Sequence, residues 1–197
     1  PGARAPLREV QGDVPNGDEV RRHLSAHRRI IPVCAILHSF GRMESVKAAC
    51  VAAPGEPFTI EERPVPRPGR GEVLVRVAAC GLCASDLHLV EGLEPPPGVT
   101  FPITPGHEIA GEVVEVGDRV SGISPGDRVA VHPNVPCGRC ANCQRALSNI
   151  CVDPQVMGYH RLGGYCEYTT VPAAGAIPIP ERLSWEQAAI VPDAVAT

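Results

Sequence analysis

Four cysteines lie close together in the pattern C-x2-C-x2-C-x7-C, at Cys137, Cys140, Cys143 and Cys151. Four thiolates at this spacing can converge on one tetrahedral zinc ion, with Zn–S bonds of about 2.3 Å. Local disulfides or ordinary core cysteines are the alternatives. Two-residue spacings are awkward for two independent disulfides, and the rest of the chain does not look like a small secreted scaffold. The pattern therefore predicts a structural zinc lobe over residues 132–152.

A second set of candidate metal ligands lies upstream. Cys83 belongs to the segment Cys80–His88, which reads CGLCASDLH, and His107 follows in PGHE. A thiolate and an imidazole suit zinc, and three protein ligands with an open fourth position are the catalytic form of such a site. Taken alone, a Cys before a polar turn is more often structural, and a lone His is more often a core residue. Their occurrence together with the four-cysteine pattern favours a catalytic metal site.

The composition is typical of a globular, β-rich protein. Of the 197 residues, 44% are hydrophobic, 20% are charged and only 4% are aromatic, with 20 Gly and 22 Pro. Abundant turn residues favour a β domain with Val and Ile in its core. The net charge of −4 gives no basis for binding nucleic acid or an anionic membrane. No apolar run reaches the ~18 residues of a membrane span. Nine cysteines, an odd number clustered as in metal sites, indicate a reducing, cytoplasmic compartment.

The first part of the chain differs from the rest. Residues 1–42 carry seven Arg and four acidic residues, a charge of +3 that leaves −7 for the remainder. We interpret them as a disordered or non-native leader upstream of a start at Met43, with residues 43–197 forming one domain. Frequent Arg would suit a transit peptide, but the acidic residues count against it. Pro1 at the start, and an apolar stretch ending at Thr197, lead us to expect that both ends are cut or misread.

Short apolar segments between turns predict a series of strands in the second part of the chain. Strands are expected at 46–53, 58–63, 72–79, 109–116, 128–132, 164–171 and 176–179. Many short strands at close spacing predict a mainly β, barrel-like domain. A late helix is also expected, because Ser184 and Gln187 form an S-x-x-Q capping box before an apolar run.

Three short motifs and the four-cysteine lobe occur in a familiar order. They are Cys80–His88, the segment GHEIAG beginning at Gly106, and GDRV beginning at Gly126. Together they resemble the N-terminal catalytic domain of the zinc-dependent alcohol dehydrogenases, within the medium-chain dehydrogenase/reductase superfamily. The resemblance covers residues 43–197. It implies a GroES-like, barrel-type β fold with one or a few short helices.

This resemblance implies two zinc ions per chain, a structural one in the lobe and a catalytic one. Cys83 and His107 match the first two catalytic ligands, and Glu108 matches a carboxylate that can transiently coordinate the metal. The third ligand is Cys in many members and Asp in a subgroup similar to secondary-alcohol dehydrogenases. The segment VPDAVAT offers Asp193 at this place. A carboxylate oxygen is an accepted zinc ligand; a helix-capping role for Asp193 is the alternative.

The resemblance also implies roles for the residues that follow Cys83. Ser85 matches the start of a proton relay through the cofactor ribose, and His88 matches its terminal base, so both are expected to contact NAD or NADP. A surface histidine is the alternative for His88. Asp86 matches the carboxylate that orients the ligand histidine, with a turn-capping Asp as the alternative. Ala84 departs from the family pattern, because several members carry a basic or polar residue there, facing the cofactor pyrophosphate.

The implied activity is oxidation of a small-molecule alcohol to an aldehyde or ketone, with hydride transfer from a zinc alkoxide to NAD or NADP. Such enzymes are usually homodimers or homotetramers. The sequence has no G-x-G-x-x-G turn of a Rossmann domain, so we expect an alcohol dehydrogenase fragment that is inactive alone. The alternatives are a non-catalytic, stand-alone GroES-like zinc-binding module and a redox-sensing zinc protein. The redox hypothesis does not explain Cys83, His107 and Asp193 together. By analogy, Asp193 favours secondary or aliphatic alcohols.

Overall fold

A computed structural model describes residues 45–195 of the chain, and the expected leader 1–42 lies outside the described residues. Nine strands form most of the regular structure. They are β1 (Ser45–Cys50), β2 (Thr59–Pro64), β3 (Glu72–Gly81), β4 (Glu108–Val116), β5 (Arg128–Val131), β6 (Asn134–Val135), β7 (Gln155–Val156), β8 (Tyr168–Pro172) and β9 (Ala176–Pro178). The predicted mainly β fold is confirmed. The boundaries at 42/43 and of the lobe remain predictions.

Residues 45–195 contain three short α-helices: α1 (Ala84–Val90) and α2 (Ala141–Gln144), which lie between strands, and α3 (Trp185–Ile190), which follows β9. Single 3₁₀ turns occupy Ser148–Ile150 and Ala173–Gly175, and a π-helical segment, Val191–Val195, continues directly from α3. None of the helices in the described range is long and apolar enough to cross a membrane.

The central sheet has five antiparallel strands in the order β8-β3-β4-β5-β9, and β1-β2 and β6-β7 form separate two-stranded pairs. The register of β3 against β4 ends with Gly81 opposite Glu108. The residues just beyond that end, Cys83 on one side and His107 on the other, are therefore brought close together. Strand pairing alone thus assembles half of the expected catalytic ligand set.

Aliphatic side chains of moderate size fill the core of the sheet. The fully buried members of this cluster are Val73, Val75, Ile109, Val113, Val129, Val131, Met157 and Val171. β-branched residues fit a pleated, buried surface, and burying each such side chain contributes roughly 1.5–3 kcal/mol. This core fixes β3, β4 and β5, which carry or border the candidate ligands.

Two local expectations were wrong. The segment 164–167 is not part of a strand, because the amides of Gly164 and Tyr165 donate to the carbonyls of Gly106 and Pro105, so β8 begins only at Tyr168. The stretch after Cys83 is not a polar turn but the helix α1. Its N-terminus is stabilised by Asp86, whose carboxylate accepts the Cys83 amide at 3.0 Å, a capping interaction.

The predicted late helix is confirmed as α3, with its capping box. The Gln187 amide donates to the Ser184 hydroxyl at 3.2 Å, and the Ser184 amide donates to the Gln187 side chain at 3.1 Å. Ala188 and Ala189 of α3 are buried against Ala110 of β4 and Ala130 of β5. These small side chains allow the helix to approach the sheet closely, which positions the chain that follows it.

Candidate metal centres

Four residues with metal-binding side chains form a compact group, which we call the open cluster: Cys83, His107, Glu108 and Asp193. Their ligand atoms all lie within 4.8 Å of one another. Asp193 Oδ2 is 3.5 Å from His107 Nε2 and 3.8 Å from Cys83 Sγ. The structure therefore brings together all four residues for which the resemblance implied a role at the catalytic metal.

Three separate parts of the chain deliver these ligands. Cys83 is the N-cap residue of α1, and His107 and Glu108 stand at the start of β4. Asp193 comes from the π-helical segment Val191–Val195, at the end of α3. Such π-helical turns occur frequently at functional sites. Asp193 thus faces the other ligands rather than capping a helix start.

The Asp86 carboxylate lies behind the His107 ring and is completely buried. Its Oδ2 accepts hydrogen bonds from the Cys83 amide at 3.0 Å and from the Tyr165 hydroxyl at 2.8 Å. Its other oxygen, Oδ1, is 3.9 Å from His107 Nδ1. With Nε2 directed to the open cluster and Nδ1 directed to Asp86, the ring has the orientation of a metal ligand supported by a carboxylate.

Three polar atoms at this site are buried and, within residues 45–195, have no hydrogen-bond partner: Ser85 Oγ, Asp86 Oδ1 and His107 Nδ1. Leaving a buried polar atom unpaired costs roughly 1–3 kcal/mol, so such atoms are rare and need a reason. Metal bound at Nε2 favours a proton on Nδ1 that Asp86 Oδ1 can accept. A thiolate, an imidazole and carboxylate oxygens are an accepted ligand set for zinc, so the residues present fit this metal.

Glu108 is buried beside the other ligands, and this changes its acidity. Burial raises the pKa of its carboxyl above the usual range, and the negative charges of Asp193 and Asp86 add to the effect while His107 opposes it. The carboxyl occupies space that a side chain at position 81 would need, which explains the glycine there. A cation at the open cluster would compensate for the accumulated negative charge.

Ser85 and His88 lie on α1 and face a common cavity of about 240 Å³, which Leu89, Leu93, Pro96 and Tyr159 also line. Ser85 is two residues from Cys83 in sequence and is half-buried. His88 is exposed to solvent. The Tyr159 hydroxyl donates to the Ser85 carbonyl at 3.1 Å, and its ring centroid lies 6.4 Å from that of His107. Tyr159 thus lines this cavity and also lies beside the His107 ring of the open cluster.

Tyr159 and Tyr165 are site residues that sequence reasoning missed. Each is distant in sequence from the residue it contacts, with separations of 74 and 79 residues for the two hydrogen bonds. The only local signal for Tyr165 is its place after the pair Gly163-Gly164, where the backbone lies against the segment that precedes His107. That signal was interpreted as the start of a strand.

The four-cysteine lobe, Cys137, Cys140, Cys143 and Cys151, forms the second group of potential ligands. Backbone amides of the lobe point at the sulfur atoms: Cys137 N at Cys151 Sγ (3.3 Å), Cys140 N at Cys137 Sγ (3.4 Å) and Cys143 N at Cys140 Sγ (3.5 Å). Amide donation lowers the pKa of Cys140 to about 6 and lowers that of Cys151. Burial raises the pKa of Cys143 to about 12, and hydrogen bonds with the neighbouring thiols add to this effect.

The eight cysteines within the described residues are free thiols, so the lobe contains no disulfide in this structure. Cys50, Cys80 and Cys166 lie outside both ligand groups. Burial raises the pKa of Cys80 well above its usual range and that of Cys166 to about 12. The thiols of Cys80 and Cys166 therefore remain protonated at neutral pH.

Residues 69–181 match the family model of the alcohol dehydrogenase GroES-like domain. The chain belongs to this family. It is 36% identical over 140 residues to L-threonine 3-dehydrogenase of Coxiella burnetii and 39% identical over 141 residues to an NAD-dependent alcohol dehydrogenase of Sulfurisphaera tokodaii. These alignments cover 71% and 68% of this chain but only 40% and 41% of the relatives.

A similar fold occurs in the cobalt- and zinc-bound thermostable alcohol dehydrogenase from Pyrobaculum aerophilum. The identity is 36% and the TM-score 0.66, with 75% of this chain and 45% of that chain covered. The predicted GroES-like fold and the resemblance to zinc-type alcohol dehydrogenases are thereby confirmed. The chain spans less than half the length of the relatives that it matches.

Proposed function

We propose that this GroES-like domain provides the catalytic metal site of a zinc- and NAD(P)-dependent alcohol dehydrogenase, which oxidises a small-molecule alcohol to an aldehyde or ketone. The observation that carries the proposal is the open cluster itself. Cys83, His107 and Asp193 converge from three parts of the chain, next to the buried and unpartnered hydroxyl of Ser85. A four-thiolate site has no open coordination position, so the substrate belongs at the open cluster and not at the lobe.

The residues at this site would have different roles in binding the metal. Cys83, His107 and Asp193 would hold the zinc ion, and Glu108 stands close enough to exchange with a departing ligand. When bound, zinc supplies Lewis-acid chemistry, which lowers the pKa of an alcohol hydroxyl. Asp86 keeps the His107 ring in the orientation for binding through Nε2.

The proton of the alcohol leaves through side chains of α1. Ser85 Oγ is free to accept a hydrogen bond from the substrate hydroxyl and to pass a proton on, because no other described group competes for it. His88 faces the same cavity and is exposed, so its imidazole is placed to pass the proton to solvent. When bound, NAD or NADP would supply the hydride acceptor that a two-electron oxidation of the alcohol requires.

The complete reaction also requires a cofactor-binding domain. The described residues form an antiparallel β domain and contain no parallel βαβ unit with a phosphate-binding turn. We infer that the 197-residue chain alone has little or no dehydrogenase activity. The test is to load the chain with zinc, add NAD or NADP with a panel of alcohols including L-threonine, and follow the absorbance of reduced cofactor. Robust turnover would contradict this inference.

A chimera tests the function of the domain directly. Residues 45–195 would replace the matching part of the NAD-dependent alcohol dehydrogenase of Sulfurisphaera tokodaii, which is 39% identical. We expect zinc-dependent turnover that His107→Ala abolishes. The control His132→Gln, at a histidine outside the open cluster, should retain it. A folded chimera that binds NAD and zinc but is no more active than its His107→Ala variant would refute the proposal.

A further inference from the structure

Tyr165 makes an uncommon contact beneath the open cluster. Its hydroxyl lies 2.8 Å from Asp86 Oδ2 and 3.1 Å from the Gly81 carbonyl oxygen. A phenol has one proton to donate. The carboxylate is closer, and hydrogen bonds to charged acceptors are the stronger kind. The proton therefore goes to Asp86, and the tyrosine acts as a donor to the carboxylate that faces His107.

The hydrogen bonds of Asp86 are divided between its two oxygens. Oδ2 receives both available donors, the Tyr165 hydroxyl and the Cys83 amide. Oδ1 receives none from the described residues and faces His107 Nδ1, which is equally unpartnered. Two donors on one oxygen prevent rotation of the carboxylate. Tyr165 thus keeps Oδ1 in the position from which it can meet the His107 ring.

Tyr165 is itself held firmly in place. Its amide donates to the Pro105 carbonyl at 3.0 Å, two residues before His107. The ring lies against Gly106, where a Cβ atom would come within 2.7 Å of Cδ1, and Phe58 packs edge-on with ring centroids 5.9 Å apart. A residue fixed from three sides can transmit a defined orientation to its partner.

We propose that Tyr165 is a positioning residue of the metal site, which acts through Asp86 on the orientation and basicity of the ligand His107. The inference rests on the proposed zinc binding at the open cluster. Partners that orient a ligand from behind commonly change metal affinity by about 10–100-fold when they are removed. Tyr165 reaches the open cluster through Asp86, whose carboxylate belongs to neither group of potential ligands.

The experiment measures metal affinity instead of activity. The full chain and its Tyr165→Phe variant are titrated with Zn²⁺ against a chelating dye, and with Co²⁺ to record the absorption of the metal at a site with one thiolate. We expect zinc at the open cluster to bind about tenfold more weakly in the variant, with a shifted cobalt spectrum. The zinc affinity of the four-cysteine lobe should equal that of the wild-type chain. This unchanged affinity shows that the variant is folded.

Two further variants separate positioning from general destabilisation. Tyr168→Phe removes a tyrosine hydroxyl outside this network and should leave both zinc affinities unchanged. In an Asp86→Asn background, Tyr165→Phe should have no further effect, because Tyr165 acts through the carboxylate. Unchanged affinity in Tyr165→Phe, or equal losses in both backgrounds, would overturn the inference. A wild-type chain that binds zinc only at the lobe would instead overturn the proposed function, and this inference with it.

Discussion

The two candidate metal centres are assembled in opposite ways. The four cysteines of the lobe come from one short stretch, and the hydrogen bond that closes it spans 14 residues. The open cluster joins Cys83 to Asp193 across 110 residues, through strand pairing, a helix cap and a π-helical turn. The lobe is a local structure that metal can organise, whereas the open cluster depends on the fold of the whole domain.

The two centres also differ in the chemistry of their potential ligands and in their access to a substrate. The lobe thiols are held by backbone amides of their own loop, which favours thiolates with no position left for a substrate. The open cluster mixes potential sulfur, nitrogen and oxygen ligands, and its His107 ring lies beside Tyr159, which lines a cavity. On this basis we propose a structural role for the first centre and a catalytic role for the second.

The largest expected effect concerns thiol reactivity in the metal-free chain. Thiolate is the reactive form, so Cys140, with its pKa lowered to about 6, should be alkylated rapidly by iodoacetamide at pH 7.5. Its rate should rise as the pH increases through 6 and then level off. Cys166, with its pKa raised to about 12, should react at least about a hundredfold more slowly. Mass spectrometry of the labelled peptides measures both rates.

Zinc provides the control for this experiment. Saturating zinc, at two equivalents or more per chain, should protect Cys140 and leave the slow rate of Cys166 unchanged. Rapid labelling of Cys140 in the zinc-loaded chain would show that the lobe does not bind the metal.

A smaller effect is expected at the third ligand of the open cluster. Asp193→Ala removes an oxygen that lies 3.5 Å from His107 Nε2, so zinc affinity at the open cluster should fall by about 100-fold. Asp193→Cys supplies a thiolate instead and should retain tight binding. Competition titrations measure both variants. Wild-type affinity in Asp193→Ala would show that Asp193 only caps the chain after α3.

The smallest effect is expected at the cap that precedes Asp193. Ser184→Ala removes the hydroxyl that accepts the Gln187 amide, and it should lower the free energy of unfolding by about 1 kcal/mol. Because α3 leads directly to Asp193, zinc affinity at the open cluster should also decrease, while lobe affinity stays constant. Urea unfolding and zinc titration test this, with the exposed Ser148→Ala as the matched control. A loss of lobe affinity would indicate that the two centres are coupled.

The sequence predicted what is local and missed what the tertiary fold brings together. The cysteine spacing of the lobe and the capping box at Ser184 are short patterns whose geometry follows from the chain itself. In the strands that form the core, Val and Ile either alternate with other residues or occur in short runs. The positions of these strands were therefore also predictable. Asp193 was identified through the family resemblance, because nothing in its neighbours indicates that it meets Cys83.

The errors have the same physical origin. The segment from Tyr165 to Val171 has residues typical of strands, but the backbone amides of Gly164 and Tyr165 pair with the segment before His107 instead of with a strand. The helix α1 begins at Ala84 because Asp86 caps it, and this carboxylate was considered for a turn or for His107. Tyr165 could not be predicted at all, since its hydrogen bond to Asp86 links residues 79 positions apart.

Zinc content per chain tests the central claim most directly, that the domain contains two independent metal centres. Elemental analysis of the purified, zinc-saturated chain should give two equivalents of zinc. His107→Ala should give one equivalent, retained by the four-cysteine lobe. A correctly folded chain that binds no zinc and has its lobe thiols paired as disulfides would contradict the account, as would a single equivalent that His107→Ala does not change.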